Sequence, residues 1–174
     1  MKVPRTITHD QKLRRARLPI DRFLDETSGL GEKRGPLLVQ LPPSLAFDAR
    51  VAARFFVLLR DRHAGPVVCE PRHESWFSAH ADALMLRYEV GRVAADPSPA
   101  PGADRTGGWK GTSYFRLHGS PRKYWSAYGT DYLAALAAAV RAASRGSDVW
   151  CVFDNTASGA ALENALELRQ SLTS

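Results

Sequence analysis

From about residue 36 onward, short apolar runs alternate with amphipathic runs, one pair about every 30 residues, and that alternation leaves little room for anything but repeated strand–helix units. The apolar runs at 37–42, 67–71, 92–96, 113–118 and 149–154 predict five buried strands. Between them Val51, Phe55, Leu58 and Leu59 recur at helical spacing and stop at Gly65-Pro66, and Ala81, Leu84, Met85 and Tyr88 stop at Gly91. Leu133, Leu136 and Val140 follow a Thr130-Asp131 cap and stop near Gly146, while Leu162, Ala165, Leu166 and Arg169 follow Thr156 and Ser158. Upstream, residues 1–5 read as a strand-like stub, the capping-box spacing of Thr8 and Gln11 predicts a helix from Thr8, and 19–28 fits a second short helix. The 97–111 loop, rich in Pro, Gly and Ala, reads as mobile. The fold class is therefore α/β, with parallel strands alternating with helices as in a (β/α) TIM barrel.

A complete barrel takes about 250 residues, and this chain has 174. The expectation is one domain over residues 1–174, incomplete at its N-terminus by about two units, with a smaller open sheet as the alternative. A barrel opened in that way would expose the strands at 1–5 and 149–154 as edges and be marginally stable. The net charge of +6 favours phosphate-bearing partners without selecting one. Cys69 and Cys151 sit inside apolar runs, which suits core thiols in a reducing compartment, so the expected location is the cytoplasm. No uncharged apolar stretch approaches the length of a membrane helix, and the basic segment 1–15 has no apolar core of a secretory signal.

Side chains alternate along a strand, so parity sorts them by face. Tyr114, Arg116 and His118 share one face of the fourth predicted strand, opposite Phe115 and Leu117. The same parity elsewhere gathers Gln40, Glu70 with Arg72, Asp96 and Asp154, so five strands each bring a polar group to the C-terminal end of one face, where barrels and doubly wound sheets keep their sites. A structural ion-pair network, with Glu70 bonded to Arg116 inside the sheet, accounts for the same pattern.

Three segments carry the chemistry. Glu70-Pro71-Arg72-His73-Glu74-Ser75-Trp76 places a carboxylate, a guanidinium, an imidazole and an indole at a strand end, with a helix start capped by Ser75 or Ser78 and packed by Trp76 as the plainer reading. Arg116 to Tyr124 is a strand end, a glycine turn and a basic, aromatic loop suited to anions. Asp154-Asn155-Thr156 either orients a ligand hydroxyl or caps the next helix. His9, His73 and His118 show no metal-ligand spacing, and Arg72 and Arg116 would repel a cation, so no metal is expected. The chain has no glycine-rich dinucleotide turn, phosphate loop or nucleophile elbow, so no cofactor is expected either.

The stretches KVPRTITH (from Lys2), GPLLVQLPPSLAF (from Gly35), CEPRHESWF (from Cys69), AADP (from Ala94), YFRLHG (from Tyr114), YWSAY (from Tyr124) and CVFDNTA (from Cys151) resemble, in order, the YecE-like family, domain of unknown function seventy-two. The resemblance implies a (β/α)-barrel architecture without a firmly assigned reaction, and a chain that enters at the family's third strand. Carried over by motif, the implied site comprises His9, Gln40, Glu70, Arg72, His73, Trp76, Asp96, Arg116, His118, Tyr124, Tyr128, Asp154 and Asn155. The leading expectation is binding or hydrolysis of a small anionic or hydroxylated molecule. Glu70 and His118 would be the acid/base pair, Arg72 and Arg116 the anion clamp, and Tyr124 and Tyr128 the walls. The alternatives are a nucleic-acid-binding barrel, a phosphodiester hydrolase among its possibilities, drawing on Arg122, Lys123, Trp109 and Trp125, and a non-catalytic remnant. Against nucleic acid, Arg14, Arg15, Arg17, Arg50, Arg54 and Arg60 read as an ordinary scatter on solvated helix faces. The sequence does not set the oligomeric state.

Overall fold

The structure, a computed structural model, describes residues 1–173. Its strands are β1 (Leu37–Gln40), β2 (Val67–Glu70), β3 (Val90–Arg92), β4 (Ala94–Asp96), β5 (Gly107–Gly108), β6 (Thr112–Leu117) and β7 (Asp148–Phe153). The helices are α1 (Arg17–Glu26), α2 (Ala49–Arg60), α3 (Ala79–Arg87), α4 (Thr130–Ala143) and α5 (Ala160–Thr173). β1, β2 and β3 pair in parallel, as do β4, β6 and β7. Only Val93 separates β3 from β4, and its N–H donates to Cys69 O at 2.8 Å, so the ladder passes from one sheet to the other without a gap. With β3 and β4 taken as one interrupted strand, neighbouring parallel strands follow chain order, each joined to the next by a crossover.

The five predicted strands all form, but they do not close into a barrel among the described residues: both sheets are open. The 1–5 stub contributes an isolated parallel bridge, Lys2 to Leu38, rather than a strand. Every β1 and β2 residue is buried, as parallel strands covered on both faces require. One face carries Leu37, Val39, Val67, Cys69 and Val90, which pack against Phe55, Phe56, Leu59 and Met85 of the helices. Farther along the sheet, the same layer joins Phe115 and Leu117 to Leu133, Leu136, Val140 and Leu168. The other face holds a smaller cluster of Leu38, Val68, Val93 and Tyr114.

Local chemistry explains where prediction and structure part. Asp48 caps α2 by accepting from the N–H groups of Arg50 and Val51, and Ser78 caps α3 by accepting from Ala81 N–H. Thr8 caps nothing. Its hydroxyl donates back to Pro4 O inside a π-helical turn, Thr6–Asp10, and positive φ at Lys12, Leu13 and Arg15 prevents a helix from continuing. α1 starts two residues before the expected 19–28 helix. α4 begins at Thr130 itself behind an uncapped Gly129, so the Thr130-Asp131 cap is not made. The 97–111 loop contains β5, paired antiparallel to β3. Buried Arg92 ties it down, donating to Gly102 O and Arg105 O and pairing with Asp82 at 2.8 Å.

Close approach to backbone is tightest at Gly91, where a Cβ would stand 2.5 Å from Thr112 O. The atom in the way is backbone, so a strand must move to admit it. Gly91→Ala is expected to cost about 1–3 kcal/mol, read as a fall of several degrees in melting temperature with the circular-dichroism spectrum retained.

Candidate functional site

At the C-terminal end of β2, Glu70 is 1% exposed. Burying a carboxylate this completely requires donors for its lone pairs, and they arrive from four directions. Gln40 Nε2, at the end of β1, donates to Glu70 Oε1 at 3.0 Å. Arg72 donates to the same oxygen through Nε and Nη2, both at 3.3 Å. Arg116 Nη1, on β6, donates to Oε2 at 2.7 Å, and its Nη2 donates to Asp154 Oδ2 at 2.8 Å just beyond β7. His118 stands between the two carboxylates, with Nε2 3.6 Å from Glu70 Oε1 and Nδ1 2.7 Å from Asp154 Oδ1. Nε2 lies beyond hydrogen-bond distance of Glu70, and Nδ1, although close to Asp154, is not aligned along its N–H direction, so both contacts are electrostatic rather than directed bonds.

The charges follow from this packing. Burial works against ionisation of Glu70, yet His118, Arg116 and Arg72 outweigh it and lower its pKa to about 2. Burial likewise opposes protonation of His118, and Asp154 and Glu70 overcome it, raising the imidazole above its ordinary value. Arg72 and Arg116 therefore face Glu70 and Asp154, two guanidinium groups against two carboxylates, and His118 adds positive charge when it takes up a proton. His9 is pushed down by burial and by the positive charges of Arg5, Arg72 and Lys2, which puts a neutral imidazole at the Arg72 side of the cluster. Behind Glu70, burial and then the Glu70 charge push the Cys69 thiol well up, so it stays protonated.

Gln40, Glu70, Arg72, Arg116, His118 and Asp154 thus meet, and the Tyr124 ring stands edge-on to His118 with centroids 5.5 Å apart. The other expected members go elsewhere. Asp96 pairs in register with Leu117, and Arg116 with Ala95, so Asp96 lies on the helix-facing side, opposite to the parity assignment. Its Oδ1 accepts from Tyr128 Oη at 2.7 Å, and that hydroxyl in turn accepts from Gly119 N–H. Tyr128 is buried and stacked on Tyr132, a strut of the α4 layer rather than a wall. Trp76 is wholly buried, its indole N–H donating to Leu45 O. His73 Nδ1 accepts from Ser75 N–H and caps a short turn. Asn155 is fully buried and donates to Ser126 O and to Asn164 Oδ1.

Two residues went unselected. Tyr114 shares the Arg116 face, where burial pushes its phenol up, and the parity that selected Arg116 already pointed to it. Asn164, on α5, accepts from Tyr128 N–H and donates to Tyr128 O; the only hint in sequence is an asparagine on an apolar helix face. Large cavities do not mark the cluster. One of about 300 Å³, lined by Trp109, Lys110 and Ser147, lies toward the N-terminal end of β6, and one of about 340 Å³ lies on the helix-facing side beside Asp96 and Tyr132. The chemistry of the donor set identifies this site, not its volume.

A family model described as a protein of unknown function, DUF72, matches residues 1–174. A crystal structure of a DUF72 family protein from Thermotoga maritima MSB8 superposes with a TM-score of 0.82 at 22% identity, covering 99% of this chain and 72% of that one. One from Enterococcus faecalis V583 gives 0.81 at 23% identity, covering 100% of this chain and 74% of that one. At such identities the likeness speaks for the fold alone. No curated protein matches the chain.

The ion cluster sets a pH window. Glu70 is depressed from 4.5, so its contribution is complete above about 4.5 and is lost as pH falls toward 2. His118 is raised from 6.5, so its contribution is complete below that value and is lost as pH rises through the higher folded value. Urea unfolding of wild type against Glu70→Gln is expected to show a loss of about 3–5 kcal/mol near pH 6, because Arg116 and His118 lose their shared counter-charge. The difference should shrink on acidification below about pH 4.5. A constant difference down to pH 2 would contradict the assigned charges.

Proposed function

The chain belongs to the DUF72 family, and we propose that it binds a small anionic or hydroxylated molecule at the C-terminal ends of its parallel strands, with proton transfer by His118 where turnover occurs. The carrying observation is the cluster of two guanidinium groups, one imidazole and two carboxylates built on buried Glu70, which becomes net positive at the strand ends when His118 is protonated. The parallel strands run in chain order, which supports a barrel-like reading of the sheet and puts this cluster where such folds gather their loops.

On this reading Glu70 and His118 do not share one role. Glu70 accepts from Gln40, Arg72 and Arg116 and has a pKa lowered to about 2, so it is a poor base and acts as the anchor that aims its donors. His118, whose protonated form is favoured by two carboxylates, is the proton donor, with Asp154 stabilising the charge on the ring. Arg72 binds Glu70 through the longest of the guanidinium contacts and is the group freest to turn toward an incoming anion. Tyr124, 45% exposed, supplies an aromatic edge over His118. Hydrolysis by acid catalysis is the simplest reaction these groups support, since it requires no redox partner.

A second reading, nucleic-acid binding, rests on the neighbouring loop, where Arg122 lies 4.3 Å from the Trp125 ring centroid and Lys123 5.4 Å from that of Tyr124. Binding that weakens steeply with salt would favour it over a small ligand.

Arg72→Ala is the discriminating variant, because Glu70 keeps its other donors. In a thermal-shift screen of phosphates, sulfates, carboxylates and sugars, at least one compound is expected to raise the wild-type melting temperature. Arg72→Ala should weaken that compound about tenfold or more, the value of one charge-assisted contact, while its ligand-free melting point moves little. Equal shifts in both proteins would refute the site.

A further inference from the structure

Four arginines that look scattered in sequence converge on one groove in the outer layer. Arg14 and Arg15, in the segment before α1, and Arg17, at its start, meet Arg54 of α2 around a cavity of about 320 Å³. Val51 and Leu58, half-buried on the facing side of α2, form part of its apolar lining. The cavity is separate from the Glu70 cluster and shares no residue with it.

The charge in this groove is poorly compensated. Arg14 has one acidic neighbour, Asp48, at 3.9 Å, with both side chains more than half exposed. Arg15, Arg17 and Arg54 have no ion pair or hydrogen-bonded side chain among the described residues. Nearby acids are already engaged: Asp10 pairs with Arg5, and Asp21 with Arg62. Three guanidinium groups beside one another repel unless an anion joins them, and a guanidinium fork matches the oxygens of a phosphate. The apolar lining adds a second requirement, since bare phosphate gains nothing from Val51 or Leu58. The volume sits at the small end of ligand sites, which span about 300–1,000 Å³, and admits one compact molecule.

We propose that this groove binds a small organic phosphate, with an apolar or aromatic body lying on Val51 and Leu58 and a phosphate held by Arg15, Arg17 and Arg54. This is a second anion site, independent of the strand-end cluster. The left-handed backbone at Lys12, Leu13 and Arg15 bends the segment that carries three of the four arginines.

The test is isothermal titration of the full chain with 1-naphthyl phosphate and with inorganic phosphate, in wild type, an Arg15→Ala/Arg17→Ala/Arg54→Ala variant and Arg72→Ala. All three groove positions are exposed, so the triple variant keeps the core and its far-ultraviolet spectrum should match wild type. Saturable binding of the aryl phosphate is expected in wild type and Arg72→Ala, stronger than for inorganic phosphate, with roughly a hundredfold or greater loss in the triple variant. Absence of saturable binding in wild type would overturn the proposal, as would binding that survives the triple variant. Loss in Arg72→Ala alone would assign the ligand to the strand-end cluster and overturn the groove.

Discussion

Everything at the C-terminal edge of the sheet depends on the burial of one carboxylate. Glu70 lies almost wholly out of water, and an ion in that position costs several kcal/mol unless its oxygens are occupied. The occupants come from β1 through Gln40, from the turn after β2 through Arg72, and from β6 through Arg116, which passes the connection to Asp154 beyond β7. Sliding any of these strands by one residue would turn its contribution to the opposite face and strand the charge. The cluster therefore rewards one register across the sheet. The same requirement that fixes the strands also lines up the groups read here as a site.

This coupling makes Glu70 a weak proton acceptor. A carboxylate that holds strands together must accept strongly, and strong acceptance lowers its affinity for a proton. Glu70 and Asp154 favour the protonated form of His118 against its burial. The structural network read from the sequence, with Glu70 bonded to Arg116, forms, and the residues proposed as a functional cluster are drawn from the same set of bonds. Arg116 shows it most directly, pairing with Glu70 and Asp154 through its two terminal nitrogens.

Much of this was legible in the chain because a parallel strand buried on both faces has no ordinary use for Glu, Arg or His. Their presence at 70, 116 and 118 marked one face before any coordinates. What failed was register. Parity orders residues within a strand, but only hydrogen bonding says which face of one strand continues which face of the next. Cys69 pairs with Arg92, so Arg92 turns to the helices and Asp96, four residues on, turns with it. The salt bridge from Arg92 to Asp82 of α3 is the interaction that fixes this choice, and it joins residues ten apart with nothing local to announce it. Thr8 failed for another reason: a capping box presumes a helix behind it, and the left-handed residues from Lys12 onward deny it one. The arginines at 14, 15, 17 and 54 are solvated, as their spacing suggested, but sequence patterning does not report that the loop and the helix face carrying them meet.

The loop after β6 carries the last constraint. Tyr124 holds φ at +64, a conformation that costs a non-glycine residue about 1–2 kcal/mol. Several bonds keep it there: Tyr124 N–H donates to His118 O, Ala157 N–H donates to Tyr124 O, and Ser158 and Asn155 hold the carbonyls of Trp125 and Ser126. Asn155 is in turn fixed by Asn164, which also holds both backbone groups of Tyr128, while the Tyr128 hydroxyl binds Gly119 N–H. None of these bonds involves a charged side chain of the cluster; the one that reaches His118 goes to its backbone carbonyl. Their common effect is to set one aromatic ring against His118 and keep it there before any ligand arrives, an ordering cost met in folding rather than in binding. Tyr128 and Asn155 thus brace the loop that carries Tyr124, although neither reaches the charged cluster.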